Sequence, residues 1–283
     1  MPLEKETFQK NAKLEGEVIV LDKNFVDKNV GNKFGFKKIT GTRLACILGL
    51  NHYKTEFKCW MEMVKLYKEE IPKQLSVAGH NIEPLIRDFV ASKCFEAEYT
   101  SVDPKTVYWD QFQDNKMFGG LIDAEPVKNG KIDYSTKLPM LEIKTSSIDS
   151  FKYRVENNQM EMIVDHNGLP VVKELNAKKN SWFKNDVIVI PEEYVCQLSL
   201  YLYLKNVDRG AFAVAFLTRE DYLHPENFKA EEHEIHVVEL LLNKTIFLEF
   251  IADAEKWYND HIVKGISPLM TNEDKKWFNS INK

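Results

Sequence analysis

Two short apolar segments flank a polar turn in residues 117–147, which read MFGGLIDAEPVKNGKIDYSTKLPMLEIKTSS. The first segment carries Asp123, and the second carries Glu142 and Lys144 with one residue between them. Successive side chains of a strand point to opposite faces, so Glu142 and Lys144 share one face and their apolar neighbours share the other. We expect the two segments to pair, with Asp123 near the end of the first strand. The pairing brings both carboxylates to one point.

Two converging carboxylates are typical of a site for a hard divalent cation. Mg²⁺, for which Mn²⁺ can substitute, prefers oxygen ligands and usually takes one or two carboxylates together with water and substrate phosphate. A lysine beside the cation can orient a water molecule or stabilise developing negative charge. Such a set indicates hydrolysis of a phosphodiester. Taken alone, however, a Glu-x-Lys strand is more often a solvated face with a cross-strand charge pair.

Composition narrows the class of protein. The chain has 283 residues, 44% of them hydrophobic, which is enough for a real core. Its net charge of −5 argues against a broadly basic surface but permits one local nucleic-acid cleft. The four cysteines are scattered without a CxxC pair, which is typical of reduced thiols. The N-terminus has no apolar targeting region. No apolar run approaches the ~20 residues needed to cross a bilayer. We therefore expect a soluble cytoplasmic protein with no membrane partner.

Helical patterns fill the first third of the chain. Thr40 and Thr42 are N-cap candidates for a short helix over RLACILG that ends at Gly49. Apolar residues at helical spacing predict a second helix over 55–69. A third helix, in GHNIEPLIRDFV, is predicted to begin near Pro84, because proline is tolerated in a first turn.

Strand patterns follow the helices. We predict strands over TVYWD, FGGLIDAEPV and MLEIKTS, then a basic insertion loop at 151–190, a helix from Pro191, and strands over GAFAVAFLT and HEIHVVE. A long amphipathic helix ended by Gly265 follows these strands. We treat 1–37 as a polar N-terminal extension and 38–283 as a single domain. This order indicates an α/β or α+β fold with a mixed sheet in the middle.

A further helix supports the candidate site. In PEEYVCQLSLYLYLK, Gln197 and Tyr201 are four residues apart and share one helical face. The ordered set GGLIDA, LEIKT and YVCQLSLYLYL resembles the PD-(D/E)XK nuclease superfamily, and more narrowly the YqaJ-type viral recombinase and phage lambda exonuclease-like family. TGTRLACILGLNHYKTEFKCWMEM resembles the N-terminal block of that family, and GHNIEPLIRDFV resembles its helix with a Gly-x-x-x-Glu-Pro core. The resemblance extends over residues 38–270.

The resemblance implies an α/β fold of the restriction-endonuclease-like type, with a mixed central sheet flanked by helices. It implies an exonuclease that acts from double-strand DNA ends, in recombination, repair or nucleotide salvage. A single-strand annealing protein would be its partner, and relatives form a homo-oligomeric ring of three. Three alternatives stay open: a structure-specific or nicking endonuclease, a non-catalytic nucleic-acid-binding protein of nuclease ancestry, and a small-molecule enzyme with accidental motif matches.

The resemblance also implies the roles of the central residues. Asp123 and Glu142 correspond to the metal ligands, helped by the backbone carbonyl of Ile143. Lys144 corresponds to the catalytic lysine beside the attacking water. Gln197 corresponds to the glutamine that supports the active site or touches the DNA backbone. Iron–sulfur relatives carry a cysteine cluster near the C-terminus, and since this sequence has none there, we predict no iron–sulfur cluster.

Other residues match the periphery of the family's site. Glu83 corresponds to a helical glutamate near the metal-bound waters, although an i,i+4 surface pair with Arg87 is the alternative. Thr42 and Arg43 lie where relatives hold the terminal phosphate of DNA. Tyr201 either supports the site with Gln197 or belongs to the core.

Hydroxyl and basic side chains near the strands are further DNA-binding candidates. Thr145 and Ser146 follow the Glu-x-Lys unit and can hold phosphate oxygens. Within 151–190, a set of basic residues and one aromatic residue could track a nucleic-acid backbone and stack a base, or form a solvated loop. The members of this set are Lys173, Lys178, Lys179, Trp182 and Lys184.

Overall fold

Helices dominate the first third of the chain. The computed structural model describes residues 3–69, 72–156 and 159–282. The first elements are α1 (Lys5–Asn11), β1 (Ala12–Glu15), β2 (Val18–Leu21), α2 (Lys23–Asn29), α3 (Gly41–Ile47), α4 (Glu56–Met63) and α5 (Lys73–Lys93). The segment before residue 38 packs against the domain, because Ile19, Val26 and Phe36 are buried in the same hydrophobic core as α3 and α4.

Two of the predicted helix boundaries are wrong. The second helix, α4, ends at Met63 because Lys65 adopts a left-handed conformation with φ of 62°. Pro84 lies in the interior of α5 rather than in its first turn. The exposed proline ring removes one helical hydrogen bond, and α5 continues because Ile82 and Ile86 on its opposite face are fully buried.

The middle of the chain carries the strands that precede the candidate site. These strands are β3 (Glu98–Thr100), β4 (Glu125–Lys128), β5 (Lys131–Ile132) and β6 (Met140–Ser147). The sequence predicts that Asp123 lies in a strand. In the structure it lies in a bend just before β4 instead. Ala124 then forms an antiparallel bridge with Leu141 of β6, which holds the bend against that strand. TVYWD is not a strand either, because Tyr108 and Trp109 have left-handed φ values of 51° and 60°.

The 151–190 insertion is more regular than the predicted loop. Its elements are β7 (Ser150–Phe151), β8 (Tyr153–Glu156), β9 (Gln159–Met162), β10 (Val172–Glu174), α6 (Ala177–Asn180), β11 (Phe183–Lys184) and β12 (Val187–Ile188). They form short antiparallel pairs, β8 with β9, β7 with β10 and β11 with β12. Trp182 attaches the insertion to the core, since only 5% of this residue is exposed.

The remaining elements complete the layers. They are α7 (Glu192–Lys205), β13 (Arg209–Leu217), α8 (Arg219–Leu223), two 3₁₀ turns (Pro225–Asn227 and Ala230–Glu232), β14 (Ile235–Leu241), α9 (Lys244–Trp257), a π-helical turn (Tyr258–Val263) and α10 (Asn272–Ile281). Gly265, with φ of 68°, follows the π-helical turn, as the sequence predicts for the end of this helix. Within the described ranges, no helix is both long enough and apolar enough to span a membrane.

A mixed sheet with the order β14-β13-β6 lies between two helical layers. β13 runs parallel to β6 and antiparallel to β14, with Glu142 opposite Phe212 and Lys144 opposite Val214. One face of the sheet packs on α5 through the odd-numbered residues of β6 and β13, where the alanines of β13 let the helix approach closely. Even-numbered residues face α7. The predicted α/β fold with a mixed sheet flanked by helices is confirmed.

Candidate active site

Strand β6 directs Glu142 and Lys144 toward α7, into the interior of the protein. Glu142 is only 1% exposed. The Lys144 Nζ atom donates a hydrogen bond of 2.6 Å to Glu142 Oε1. The alternation of β6 therefore places both charged side chains on one face, as the sequence predicts, but this face is buried rather than solvated.

Asp123 approaches the same point from the neighbouring bend. Its Oδ2 atom accepts a hydrogen bond of 2.8 Å from the backbone N–H of Ile143. The N–H and C=O groups of one strand residue point to the same edge of the strand, so the Ile143 carbonyl faces the edge where Asp123 lies. The Asp123 carboxyl group lies close enough to the Glu142 carboxyl group for its charge to affect that group. The structure thus brings together Asp123, Glu142, Ile143 and Lys144.

Gln197 fixes the other side of this group. Its Nε2 atom donates a hydrogen bond of 2.6 Å to Glu142 Oε1, and its Oε1 atom accepts one of 3.2 Å from Lys144 Nζ. α7 can present Gln197 here because α3 comes very close: a Cβ atom on Gly41 would lie 2.3 Å from Gln197 Cγ. Gln197 can therefore occupy this position only because residue 41, at the start of α3, is a glycine.

Burial and mutual repulsion shift the charges of the site. Burial, followed by the Asp123 carboxylate, raises the pKa of Glu142 to about 8. Burial also raises the pKa of Asp123. Burial would lower the pKa of Lys144, but the Glu142 and Asp123 carboxylates outweigh it and raise that pKa. When both buried carboxyl groups are ionised they outnumber the one ammonium group, and a further cation would offset the excess negative charge.

The donor set fits a hard divalent cation. Glu142 Oε2 is buried and has no hydrogen-bond partner in the described structure, which leaves a carboxylate oxygen free beside Asp123. Two carboxylates and a carbonyl are the oxygen ligands that Mg²⁺ takes, with water completing the coordination. Across residues 3–69, 72–156 and 159–282, no group of three or more His, Cys, Asp or Glu side chains is arranged to hold a metal. A cation here would therefore depend on the Asp123–Glu142 pair, a carbonyl and water.

A cleft of about 200 Å³ opens beside Asp123, between α5 and the bend. Glu83 and His80, one turn apart on α5, line this cleft. Burial, and then the Asp123 carboxylate, raises the pKa of Glu83 to about 7. Arg87 instead donates to Asp88 and Ser101, at 2.8 and 2.7 Å.

The surroundings of Glu83 can be compared with its two predicted roles. Its charge interacts with Asp123 and Lys144 rather than with Arg87. This places Glu83 at the edge of the candidate metal site, where the resemblance puts the helical glutamate. The surface pair with Arg87 does not form among the described contacts.

Two aromatic residues predicted to contact DNA are buried instead. Tyr201 is 4% exposed, and its ring packs against Gly120, where a Cβ atom would lie 2.5 Å from Tyr201 Cε1. Trp182 stacks on Tyr194 with ring centroids 5.5 Å apart and lies edge-on to Phe216. Neither ring offers a free face to a base, so the stacking role predicted for Trp182 is wrong. The core placement of Tyr201, the alternative from the sequence, is the one observed.

The remaining predicted DNA contacts lie around the site. Thr42 is exposed at the start of α3, while Arg43 pairs with Glu62 at 3.2 Å. Thr145 and Ser146, at the end of β6, are half-buried. Three of the insertion lysines are exposed, and the fourth pairs with Glu234. The exposed ones are Lys173, Lys178 and Lys184, and the paired one is Lys179.

Tyr194 is a site residue that the sequence did not single out. Its ring centroid lies 4.8 Å from Lys144 Nζ, which is a cation–π contact. Tyr194 precedes Gln197 by three residues on α7, so helical spacing places both on one face. That i,i+3 relationship to Gln197 is the signal that could have found it.

Comparisons with known proteins assign the chain to a family. The family model described as YqaJ-like viral recombinase domain matches residues 33–208, which include every member of the candidate site. The chain belongs to the YqaJ-like viral recombinase domain family, as the motifs predict.

Two curated relatives are uncharacterized Mycoplasma proteins. MG373 of Mycoplasma genitalium is 46% identical over 248 residues, covering 87% of this chain and 88% of that protein. The MG373 homolog of Mycoplasma pneumoniae is 44% identical over 276 residues, covering 95% of this chain and 97% of that protein.

Two solved structures are similar at low identity. An alkaline exonuclease, LHK-Exo, from Laribacter hongkongensis has a TM-score of 0.47 at 10% identity, covering 92% of this chain and 98% of its own. A phage-related exonuclease from Haemophilus somnus has a TM-score of 0.45 at 12% identity, covering 80% of this chain and 96% of its own.

Proposed function

We propose that this protein is a Mg²⁺-dependent deoxyribonuclease that hydrolyses phosphodiester bonds at double-strand DNA ends. The observation that carries the proposal is the buried, unpartnered Oε2 atom of Glu142 beside Asp123, with Lys144 held on the other carboxylate oxygen. Membership in a viral recombinase domain family supports a nuclease acting on DNA. A free carboxylate oxygen, a second carboxylate and a fixed lysine are the parts that such a hydrolysis needs.

Asp123, Glu142 and the Ile143 carbonyl would hold the cation. When bound there, Mg²⁺ supplies positive charge that stabilises the phosphoryl oxygens and acidifies a coordinated water. Mn²⁺, which accepts similar oxygen ligands, is expected to substitute. Glu83, at the edge of the cleft, would hold water next to this site through its carboxylate.

Lys144 would act as a donor in the reaction. Its raised pKa keeps the side chain protonated, so it is suited to orient water or a phosphate oxygen rather than to remove a proton. Glu142, Gln197 and the Tyr194 ring all contact the ammonium, and together they fix its position before substrate binds. Preorganised charge of this kind is a large contributor to enzymatic rate enhancement.

The reaction is a hydrolysis with one bond formed and one broken. The oxygen of water bonds to phosphorus as the water gives up one proton, the bond from phosphorus to one sugar oxygen breaks, and that leaving oxygen takes up a proton. Digestion from a double-strand end, in the 5′ to 3′ direction, is the specific form that we propose from the family. A single-strand annealing partner and a ring of three subunits belong to the same proposal, as do roles in recombination, repair or nucleotide salvage.

The test compares linear and closed circular duplex DNA, both labelled, with Mg²⁺, Mn²⁺ or EDTA. The wild type is expected to degrade only the linear DNA, and only with a divalent cation. Lys144→Ala should lower the rate by about 10²–10³-fold, the usual loss for one preorganised donor. Lys131→Ala, which changes an exposed lysine of β5, is the matched control and should keep full activity.

Each other outcome identifies a different function. Cutting of the circular DNA would replace the exonuclease with an endonuclease. Binding of DNA without cleavage under any cation condition would indicate a non-catalytic protein of nuclease ancestry. An undiminished rate in Lys144→Ala would contradict the mechanism.

A further inference from the structure

Asp123, one of the two carboxylates of the candidate site, follows a segment without regular secondary structure. Residues 119–122 belong to no helix or strand, and the bridge of Ala124 to Leu141 begins only after the aspartate. The buried backbone N–H and C=O groups of such a segment need partners other than a strand ladder. The groups that supply these partners decide where Asp123 lies.

Gln111 supplies two of the partners. Its backbone N–H donates a hydrogen bond of 2.8 Å to the carbonyl of Gly120. Its side-chain Oε1 atom accepts a hydrogen bond of 2.6 Å from the backbone N–H of Ile122, a residue that is only 3% exposed. Gln111 thus contacts the main chain on either side of Leu121, immediately before Asp123. Loss of its side chain would remove the acceptor of a buried N–H group, which costs free energy.

Glu125 orients the Gln111 amide. Its Oε2 atom accepts a hydrogen bond of 3.1 Å from Gln111 Nε2. A carboxylate only accepts and a backbone N–H only donates, so one orientation of the amide satisfies both Glu125 and Ile122. Glu125 is also the first residue of β4, two residues after Asp123. The segment is therefore held both before and after the aspartate.

Glu125 also connects this segment to α7. The residue is only 1% exposed. Its Oε1 atom accepts a hydrogen bond of 2.9 Å from the Tyr134 hydroxyl and lies 2.8 Å from Lys205 Nζ. Lys205 is the last residue of α7, and Gln197 lies about two turns earlier on the same helix. One buried carboxylate therefore contacts the segment that carries Asp123 and the helix that carries Gln197.

The contacts of Glu125 fit a role in positioning rather than in metal binding. Gln111, Tyr134 and Lys205 together satisfy both of its oxygens. Glu142 differs, because its Oε2 atom has no partner in the described structure. A buried ion pair often adds little net stability, since removing both charges from water offsets their attraction. A fully satisfied polar network does, however, fix the geometry of the groups around it.

We infer that Glu125 and Gln111 are positioning residues for Asp123. Glu125 turns the Gln111 amide, and the amide holds the Ile122 N–H. The Asp123 carboxyl group is thereby kept at the edge of β6, where it faces the candidate metal site. The inference rests on the proposed function for its effect on ion binding, and it deepens that function by naming what holds the ligand. The position of Asp123 can be measured without any metal.

The first test follows backbone amide hydrogen exchange by NMR in the metal-free protein. The Ile143 N–H donates to Asp123 Oδ2, so its exchange rate reports whether the aspartate is in place. Gln111→Ala should speed exchange at Ile122 and Ile143 by roughly 10-fold or more. The amides of β13, the central strand of the sheet, are the internal reference and should keep their rates, because only a general loss of stability would expose them as well.

The second test measures the affinity for Mn²⁺ by paramagnetic resonance, at a temperature where each variant is folded. Gln111→Ala should weaken the affinity by roughly 10- to 100-fold, as is usual when the groups that orient a metal ligand are lost. Gln113→Ala changes an exposed glutamine two residues further along and is the matched control. It should leave the Mn²⁺ affinity and the exchange at Ile143 unchanged.

An exchange of the two side chains tests the hydrogen bond itself. Gln111→Glu alone sets two carboxylates against each other, and Glu125→Gln alone removes the negative charge that pairs with Lys205. In the double variant, the amide at position 125 donates to the carboxylate at position 111, which still accepts from the Ile122 N–H. The double variant should bind Mn²⁺ at least about 2-fold more tightly than either single variant, the smallest coupling expected for residues in contact. These variants also keep the test decisive if Gln111→Ala does not fold.

Three results would overturn the inference. One is wild-type exchange at Ile143 in Gln111→Ala, and another is faster exchange there that is matched throughout β13. The third is a double variant that binds Mn²⁺ no better than the single variants. Failure of the wild type to bind Mn²⁺ would remove the proposed function alone, because the exchange at Ile143 reports on Asp123 in either case.

Discussion

Gln197 donates a 2.6 Å hydrogen bond to the buried carboxylate of Glu142, and this contact joins helix α7 to strand β6 at the centre of the candidate site. The same amide accepts a hydrogen bond from Lys144. One neutral side chain thus contacts both charged members of the Glu-x-Lys unit. Its two hydrogen bonds hold the carboxylate and the ammonium in fixed relative positions without adding charge to a buried site.

Gln197→Ala should lower kcat/KM for linear duplex DNA by roughly 10- to 100-fold, as is usual when the partner of a metal-binding carboxylate is lost. Gln197→Glu removes the N–H donor and places a second carboxylate against Glu142, so it should be impaired as well. Gln9→Ala, on the exposed side of α1, is the control. Wild-type kinetics in Gln197→Ala would show that the contact with Glu142 is unimportant.

The close approach of α3 and α7 should make Gly41 intolerant of a side chain. A Cβ atom there would lie 2.6 Å from the backbone Cα of Gln197, so the helices must separate. Gly41→Ala is expected to lower the free energy of unfolding by about 1–3 kcal/mol, measured by urea denaturation.

Gly79→Ala is the matched comparison for Gly41→Ala. Gly79 lies inside α5, and its nearest neighbour, Glu83 Oε1, would be 3.5 Å from the new Cβ atom. Alanine should therefore stabilise the helix by about 0.5–1 kcal/mol. Equal effects of the two substitutions would contradict the packing described here.

Glu62 on α4 should make stability depend on acid pH. It pairs with Lys37 and Lys54 at 2.8 Å and with Arg43 at 3.2 Å. Burial opposes its ionisation, but Arg43, Lys37 and Lys54 together lower the pKa of Glu62 to about 2. Because the folded pKa is depressed, the stabilisation is complete above the ordinary pKa of 4.5 and is lost as pH falls toward 2.

The measurement is urea denaturation of wild type and Glu62→Gln between pH 7 and pH 2. The wild type should be more stable at pH 7 by up to about 3 kcal/mol, and the two curves should converge near pH 2. Glu69→Gln changes a residue that is 44% exposed and pairs with Lys54, so it should cost less than about 1 kcal/mol. A constant difference between wild type and Glu62→Gln at all pH values would refute the linkage.

Local periodicity was enough to predict the centre of the site. The period of two in MLEIKTS puts Glu142 and Lys144 on one face, and the structure has them there. The helix from Pro191 and the buried strand that follows it were also predicted, because both have long, strongly patterned sequences. The contact between Gln197 and strand β6 was predicted from the family resemblance. No local sequence pattern brings residues so distant in sequence together.

Tertiary packing decided the features that were predicted wrongly. Trp182 looked like a surface aromatic in a basic loop, but Tyr194 and Phe216 provide a pocket that only the folded chain contains. Asp123 was assigned to a strand because its neighbours are apolar, whereas the bridge of Ala124 to Leu141 shapes a bend there. The four-residue charge cluster around Glu62 was not predicted, because its members come from separate helices and loops.

Binding of Mn²⁺ to the metal-free protein tests the central claim most directly. Free Mn²⁺ has a strong paramagnetic resonance signal that weakens when the ion binds to a protein. Titration of Mn²⁺ with wild type, Asp123→Asn and Glu142→Gln therefore measures the affinity of the site for the ion without any turnover. The wild type should reduce the signal in a saturable way, and each substitution should weaken the affinity at least 10-fold, because either carboxylate alone leaves too few anionic ligands. An undiminished signal with wild type, even with duplex DNA present, would contradict the account, as would equal binding by all three proteins.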